Sequence, residues 1–380
     1  MNRDTYCKRY RKEFLLLLIF FAIITSCKKE QELKKVEKTS TKQQTQIIKD
    51  VPKGIAIPEG MVWIPGGSFN QGVVKNDPMI MKHETPAHPV SVDGFFMDIT
   101  EVTNAQFKKF VDATNYITVA EREIVWEEMK KQLPPNAPKP HDSILQPGSL
   151  IFKKTKNSVA NLFDYSQWWL WKIGASWKHP LGPESSIEGK DEYPVVHIAY
   201  EDAVAYCKWA GRRLPTEAEW EYASRGKEKN TIFFWGNDIK DLSSHANTWE
   251  GEFPLQNTKV DGYENKAPVR SYPPNSYNLY DMAGNVWEWT QDWYNTTYYN
   301  QLKQQGLTHN PKGAVKPYNP NNPALQEKVI KGGSFLCSDS YCASYRNSAR
   351  MATSMDSSLE HLGFRTVLSV DMIKDSKKIK

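Results

Sequence analysis

The sequence predicts one compact α+β domain with short strands, few helices and much irregular structure. Three observations point there. Gly, Pro and aromatic residues recur along the chain, with 21 Gly, 23 Pro and 13 Trp, so long uninterrupted elements are rare. Only three short stretches carry clear helix signals. The apolar runs that read as strands are brief and broken by turn residues.

Taken in order, residues 1–13 carry Arg3, Lys8, Arg9, Arg11 and Lys12 against Asp4 and Glu13, and an apolar run follows from Phe14 to Ile24. That run is shorter than the roughly 20 residues a membrane-spanning helix needs. It ends in Ile24-Thr25-Ser26-Cys27. A basic start, a short apolar stretch and small residues before a cut describe a secretory signal over 1–26. The cysteine after the small residue resembles a bacterial lipobox. That implies an exported lipoprotein with Cys27 acylated, on the periplasmic side or in the outer membrane. An ordinary signal with a chance cysteine is the alternative. Residues 27–57 are Lys- and Gln-rich and nearly free of aromatics, so they read as a polar tether. The expected folded part is 58–370, with a basic tail over 371–380.

Within 58–370, Met61–Ile64, Val90–Val92, Phe95–Met97, Val195–Ile198 and Lys328–Ile330 read as strands. Thr103 with Gln106 forms a capping box before Phe107, Phe110 and Val111. A second helix is expected over 201–210, with Ala203, Val204, Cys207 and Trp209 apolar and Gly211 as its stop. Thr216 with Glu219 opens a third, which ends at Gly226. WIPGGSF (63–69) and VIKGGSF (329–335) look like an internal echo, each a strand running into a Gly-Gly turn.

The net charge of +5 belongs to the ends. Residues 1–57 hold 13 Lys/Arg against 6 Asp/Glu and the last ten hold 4 against 2, which leaves −4 for residues 58–370. No basic surface for nucleic acid is expected. The acidic Asp112, Glu121, Glu123, Glu127 and Glu128 read as a solvated face, and His179 as either a groove residue or a structural one.

Of the five cysteines, Cys7 lies in the signal and Cys27 at the presumed lipid site. Cys207, Cys337 and Cys342 form no disulfide framework. Cys207 falls on a helix's apolar face. Cys337 and Cys342 follow two glycines and Ser334 in KGGSFLCSDSYC (331–342). C-x4-C on a loop admits a local or redox disulfide, half a zinc site, two unrelated thiols, or a Cu(I) site. Zinc wants more ligands than this spacing supplies, whereas paired thiolates suit a soft monovalent metal. In DMAGNVWE, Asp281, the Gly284 and Val286 carbonyls and Glu288 are spaced for a hard oxygen-seeking cation. A turn with a helix-capping Asp is the other reading.

The segment 331–365 resembles the active-site loop of the formylglycine-generating enzymes, also called sulfatase-modifying factors. The likeness continues through MVWIPGGSFNQG (61–72), QWWLWKIGASWKHPLGP (167–183), RLPTEAEWEYA (213–223) and GNVWEW (284–289), and covers about 59–368. The resemblance implies a formylglycine-generating-enzyme (C-type-lectin-like) fold. It also implies copper-dependent oxidation by O2 of a cysteine, within a C-x-P-S-R-like sequence of sulfatase polypeptides, to formylglycine. Cys337 and Cys342 would be the copper ligands. Ser334, Tyr341 and Trp287 would line the pocket where oxygen and the substrate thiol meet, although core packing also accounts for Trp287. Two structural calcium sites are implied: Asn247, Thr248, Asp261 and Tyr263 for one, Asp281, Gly284, Val286 and Glu288 for the other. The family's structural disulfides are missing, since Thr366 stands opposite Cys207, and Ser224 and Asn347 occupy the second pair. Two rivals remain. One is a non-catalytic lipoprotein of the same fold in a surface, gliding or secretion machinery. The other is an iron-dependent sulfoxide synthase, for whose His-rich iron domain this chain has no room. Both loop cysteines favour the oxidase.

Overall fold

The computed structural model describes residues 46–133, 136–228 and 230–378. The signal segment, Cys27 and the tether up to residue 45 lie outside the described residues. Helix and sheet are mixed as expected, with short elements and long connections. In chain order the principal elements are β1 (Met61–Ile64), β2 (Gly67–Gln71), β3 (His88–Val92), β4 (Phe95–Asp98), α1 (Asn104–Thr114), β5 (Gly148–Phe152) and β6 (Trp169–Ile173). Then come α2 (Tyr200–Trp209), α3 (Glu217–Arg225), β7 (Trp287–Trp293), α4 (Tyr298–Gln305), β8 (Thr308–His309) and β9 (Glu327–Lys331). The chain continues through β10 (Met351–Ser354), β11 (Leu362–Gly363), β12 (Val367–Ser369) and α5 (Val370–Lys378).

The capping boxes form as the sequence requires. The Thr103 hydroxyl accepts from Gln106 N–H while the Gln106 side chain accepts from Thr103 N–H, starting α1. Thr216 and Glu219 do the same for α3. Each closes two donors that a helix start leaves open. The apolar faces of α1 and α2 meet through Phe107, Phe110 and Tyr206, with ring centroids 5.3 to 6.0 Å apart. Cys207 sits in the same core, and burial raises its thiol pKa.

Sheet order places the cysteine loop. The largest sheet runs β10-β9-β7-β11, and the long connection from β9 to β10 carries both loop cysteines. β1, β4 and β12 form a second sheet, β2, β3 and β8 a third, and β5 and β6 a hairpin. Between these short ladders, buried ion pairs link distant segments. Arg346 contacts Asp77 at 2.8 Å and Glu84 at 2.5 Å. Arg350 holds Glu217 at 2.6 Å and Arg365 holds Glu288 at 2.6 Å. Glu221 receives both Arg225 at 2.7 Å and Lys331 at 3.2 Å.

Several expectations need correction. Val195–Ile198 is no strand: only Pro194 makes an isolated bridge, to Thr103. His197 has a positive φ of 60°, and the N–H groups of Val195 and His197 go to different segments, at Val102 and Leu359. A buried apolar run reads like a strand, but no single neighbour runs alongside it. The Gly-Gly echo also fails. Gly67 begins β2, whereas Gly332 and Gly333 turn with φ of 93° and 76°. Residues before 58 also join the domain: the Ile48 carbonyl accepts the N–H groups of both Gly66 and Gly94, and Ile48 N–H donates to Asp93 at 2.8 Å. Ile47 and Ile48 are the apolar residues that the polar composition around them masked. The basic tail is helical from Val370 to Lys378.

The expected solvated acids are mostly so. Asp112, Glu127 and Glu128 make exposed pairs with Lys108, Lys130 and Lys131. Glu121 instead caps a short turn at Thr118.

Replacing Glu84 by Ala leaves the buried Arg346 guanidinium short of its bidentate partner, and removing one member of a buried pair typically costs about 3–5 kcal/mol. Chemical denaturation of Glu84→Ala should show a loss of that size. A loss under about 1 kcal/mol, the range of a surface pair, would mean that the pair holds little.

Candidate active site

The β9–β10 connection leaves the sheet at Lys331 and turns at Gly332 and Gly333. A Cβ on Gly333 would lie 2.9 Å from the Ser344 carbonyl carbon, so only glycine lets the outgoing and returning strands of the loop pass this closely. The turn is then closed by Cys337 N–H donating to the Ser334 carbonyl at 2.9 Å. The N–H groups of Cys342 and Ala343 both donate to the Ser338 carbonyl, at 3.1 and 2.8 Å. This folds the C-x4-C segment back on itself. The two cysteines stand 5.4 Å apart at Cα and are joined as a disulfide. Cys337 is buried at 1% exposure, and Cys342 is only partly buried. One sulfur thus anchors the pair in the core while the other is reachable.

An aromatic wall stands beside them. Tyr341 stacks on Phe253 with centroids 4.4 Å apart and planes 5° from parallel, and Trp168 meets Tyr341 edge-on at 5.8 Å. Trp249, Phe335 and Leu336 belong to the same buried group. Trp249 N–H donates to the Cys337 carbonyl at 3.0 Å, which ties the wall to the loop. Burial raises the Tyr341 hydroxyl pKa, so it stays protonated.

Ser334 is fully buried, with Oγ 3.2 Å from His361 Nδ1 and accepting Leu336 N–H at 3.2 Å. Burial, and next the Lys266 charge, pushes His361 down to about 3, so its ring is neutral. Trp287 opens β7 at 4% exposure, and its N–H donates to the His361 carbonyl at 2.8 Å. The structure therefore joins Cys337, Cys342, Ser334 and Tyr341 in one loop and connects Trp287 to Ser334 through His361. His361 has no signal in the sequence, where a lone His before LGFR shows no informative spacing. His179 is structural: its Nδ1 bonds the Ser185 carbonyl at 2.6 Å.

The expected calcium residues cluster where β7 begins. Asn285 N–H donates to the Asn247 carbonyl at 2.9 Å, joining the two sets. In the first set Asp261 accepts the N–H groups of Thr248 and Tyr263, at 2.8 and 3.0 Å. Asn247 Oδ1, Thr248 Oγ1 and nearby Glu250 Oε2 are buried without any hydrogen-bond partner. In the second set Asp281 accepts Arg270 N–H through one oxygen, while its other oxygen and Glu101 Oε2 have no partner. Gly284 and Val286 flank Asn285, whose amide donates to Glu101 Oε1 at 3.0 Å. Burial and the neighbouring Asp281 carboxylate push Glu101 well above the usual carboxylate range, and burial brings Asp281 up to about 6. Glu101 is a second residue that spacing alone does not reveal. Glu288 departs from expectation: both its oxygens are held by Arg365, and Trp220 donates to one of them. A fully buried carboxylate takes the cation the fold brings to it, here a guanidinium. Among the described residues no three His, Cys, Asp or Glu side chains converge to hold a metal.

The residues standing at the expected cysteine positions are hydrogen-bonded. Ser224 Oγ donates to Asn347 Oδ1 at 2.8 Å, and the Thr366 hydroxyl donates to Asp98 at 2.6 Å.

The family description "Sulfatase-modifying factor enzyme 1-like domain" matches residues 48–370. A formylglycine-generating enzyme from Mus musculus is 43% identical over 316 residues, covering 83% of this chain and 76% of that protein. An inactive C-alpha-formylglycine-generating enzyme 2 from Bos taurus is 34% identical over 311 residues, covering 80% of this chain and 86% of that one. Among solved structures, PvdO from Pseudomonas aeruginosa superposes with a TM-score of 0.53 at 20% identity, covering 81% of this chain and 93% of that chain, which supports the fold alone.

Proposed function

The chain belongs to the sulfatase-modifying factor enzyme 1-like family, and we propose that it oxidises a cysteine of sulfatase polypeptides to Cα-formylglycine, with copper and O2. The target cysteine would lie in a C-x-P-S-R-type sequence. Family membership alone does not decide activity, since one relative is named inactive. What carries the reading is the juxtaposition of Cys337 and Cys342, one buried and one reachable, beside an aromatic wall.

The donor set suits copper. Two sulfurs with no convergent third His, Cys, Asp or Glu group among the described residues favour a soft monovalent ion over zinc. Reduced to thiolates, Cys337 and Cys342 would hold Cu(I), which supplies redox reactivity toward O2 when bound. The protein's own side chains do the rest. Phe253, Trp168 and Tyr341 exclude water beside the pair. Ser334 and the protonated Tyr341 hydroxyl offer hydrogen-bonding groups to an incoming thiol. Converting the substrate's thiol-bearing methylene to an aldehyde, with release of hydrogen sulfide, removes two electrons, while O2 reduced to water accepts four. A thiol reductant therefore supplies the remaining two, and it also opens the disulfide.

The protein loaded with Cu(I) and given O2, a thiol reductant and a C-x-P-S-R peptide should yield an aldehyde by mass spectrometry, and Cys342→Ser should yield none. Absence of product from protein that also fails to bind Cu(I) would sink the reading.

Calcium is proposed as structural. The partnerless oxygens of Asn247, Asp281 and Glu101 support hard-cation binding, with Asp261, Thr248, Tyr263, Gly284 and Val286 contributing around them. Glu288 is left to Arg365. Calcium chelation should lower Tm by several degrees, a fall of about 4 °C corresponding to roughly 2–3 kcal/mol for a domain this large, and Asp281→Asn should blunt the response. An unchanged Tm on chelation would refute the sites.

Cys27 is proposed to carry a lipid, which anchors the chain to a membrane. Cys27→Ser should lose acylation and move to the soluble fraction. Persistence in the membrane fraction would rule the anchor out.

A further inference from the structure

His361 bonds to two of the residues expected to line the pocket. Its Nδ1 lies 3.2 Å from Ser334 Oγ, and its carbonyl accepts Trp287 N–H at 2.8 Å. Its ring edge packs on Trp169 with centroids 4.9 Å apart. It also precedes β11 directly, where Leu362 pairs with Trp287 in parallel register, so its backbone is held by the sheet.

A serine hydroxyl has one donor and two acceptor positions, and it rotates to suit its partners. Ser334 Oγ is fully buried, accepts Leu336 N–H, and shares one hydrogen bond with His361. Two of its three directions are thereby filled. Whichever tautomer His361 adopts, the hydroxyl can no longer swing freely, and one of its directions remains unfilled. Ser334 is also bound into the turn that carries Cys337, through its carbonyl. Orientation of Ser334 is therefore orientation relative to Cys337.

We propose that His361 is a positioning residue for the reaction, acting through Ser334 by fixing the direction of its hydroxyl toward the substrate thiol. This rests on the oxidase reading above. It does not make His361 a proton acceptor: a ring kept neutral by burial, and next by the Lys266 charge, is a poor base. His361 touches the chemistry only through Ser334.

The test is a double-mutant cycle on the full chain with Ser334→Ala and two His361 variants. Asn places an amide near the position of Nδ1, whereas Leu places no polar atom there. His361→Asn should keep kcat within about threefold, while His361→Leu should lower kcat on the order of 10²-fold, as misplacement of a reacting group does. In the Ser334→Ala background His361→Leu should cost almost nothing further, because the residue it orients is gone. Affinity of the copper-free protein for the C-x-P-S-R peptide, by fluorescence anisotropy, should change less than about threefold in every variant, and Tm should stay close to wild type. Additive losses in the cycle, or peptide affinity falling in step with kcat, would overturn the proposal and assign His361 to packing against Trp169. Failure of the wild type to form aldehyde would instead remove the oxidase reading, and this proposal with it.

Discussion

The Arg346 guanidinium, buried between Asp77 and Glu84 and donating to the Ala343 carbonyl, is the constraint on which the cysteine loop depends. The segment 332–350 has no strand or helix of its own, so its backbone cannot be held by a ladder. It is held by charge. Arg346 ties the loop's returning half to the segment before β3, and Arg350 ties its end to the start of α3. Lys331 fixes its beginning to Glu221, on the same helix. Such pairs add little net stability when desolvation is counted, yet they are intolerant of a missing partner. In the present register each of these buried charges meets its partner.

With the loop so fixed, the pair of sulfurs acquires its asymmetry. Cys337 is packed into the main core, while Cys342 lies at its edge. The aromatic wall meets the loop through Tyr341 and through the bond from Trp249 to the Cys337 carbonyl. Neighbouring oxygens at Asn247, Thr248, Glu250, Asp281 and Glu101 lack partners in the protein. Buried polar atoms of this kind are uncommon in folded proteins. Their grouping at the start of β7, where two loops meet Asn285, is the strongest structural support for a hard cation there.

Much of the local structure was legible. The capping boxes at Thr103 and Thr216 form with their expected partners, because a cap needs only residues three apart. The cysteine pair and the Gly332-Gly333 turn were legible for the same reason. Ser224 and Asn347, which the resemblance pairs with one another, do stand together and share a hydrogen bond. The failures involve residues whose partners are remote. Val195–Ile198 has a strand's composition but bonds to separate segments. Glu288 has the spacing of a cation ligand but faces Arg365. His361 and Glu101 carry no spacing signal, and only packing brings them beside Ser334 and Asp281.

The amino-acid order by itself determined which helices start where, which two thiols can meet, and which family the chain resembles, since each rests on short-range spacing or on whole-chain similarity. Tertiary structure alone decided which cysteine is buried, which carboxylates are paired and which are left over, and what stands beside Ser334. Those outcomes depend on contacts between residues tens to hundreds of positions apart. A one-dimensional pattern does not encode which of several possible partners a buried charge will find. The fold settles it by the desolvation cost of leaving that charge unpaired.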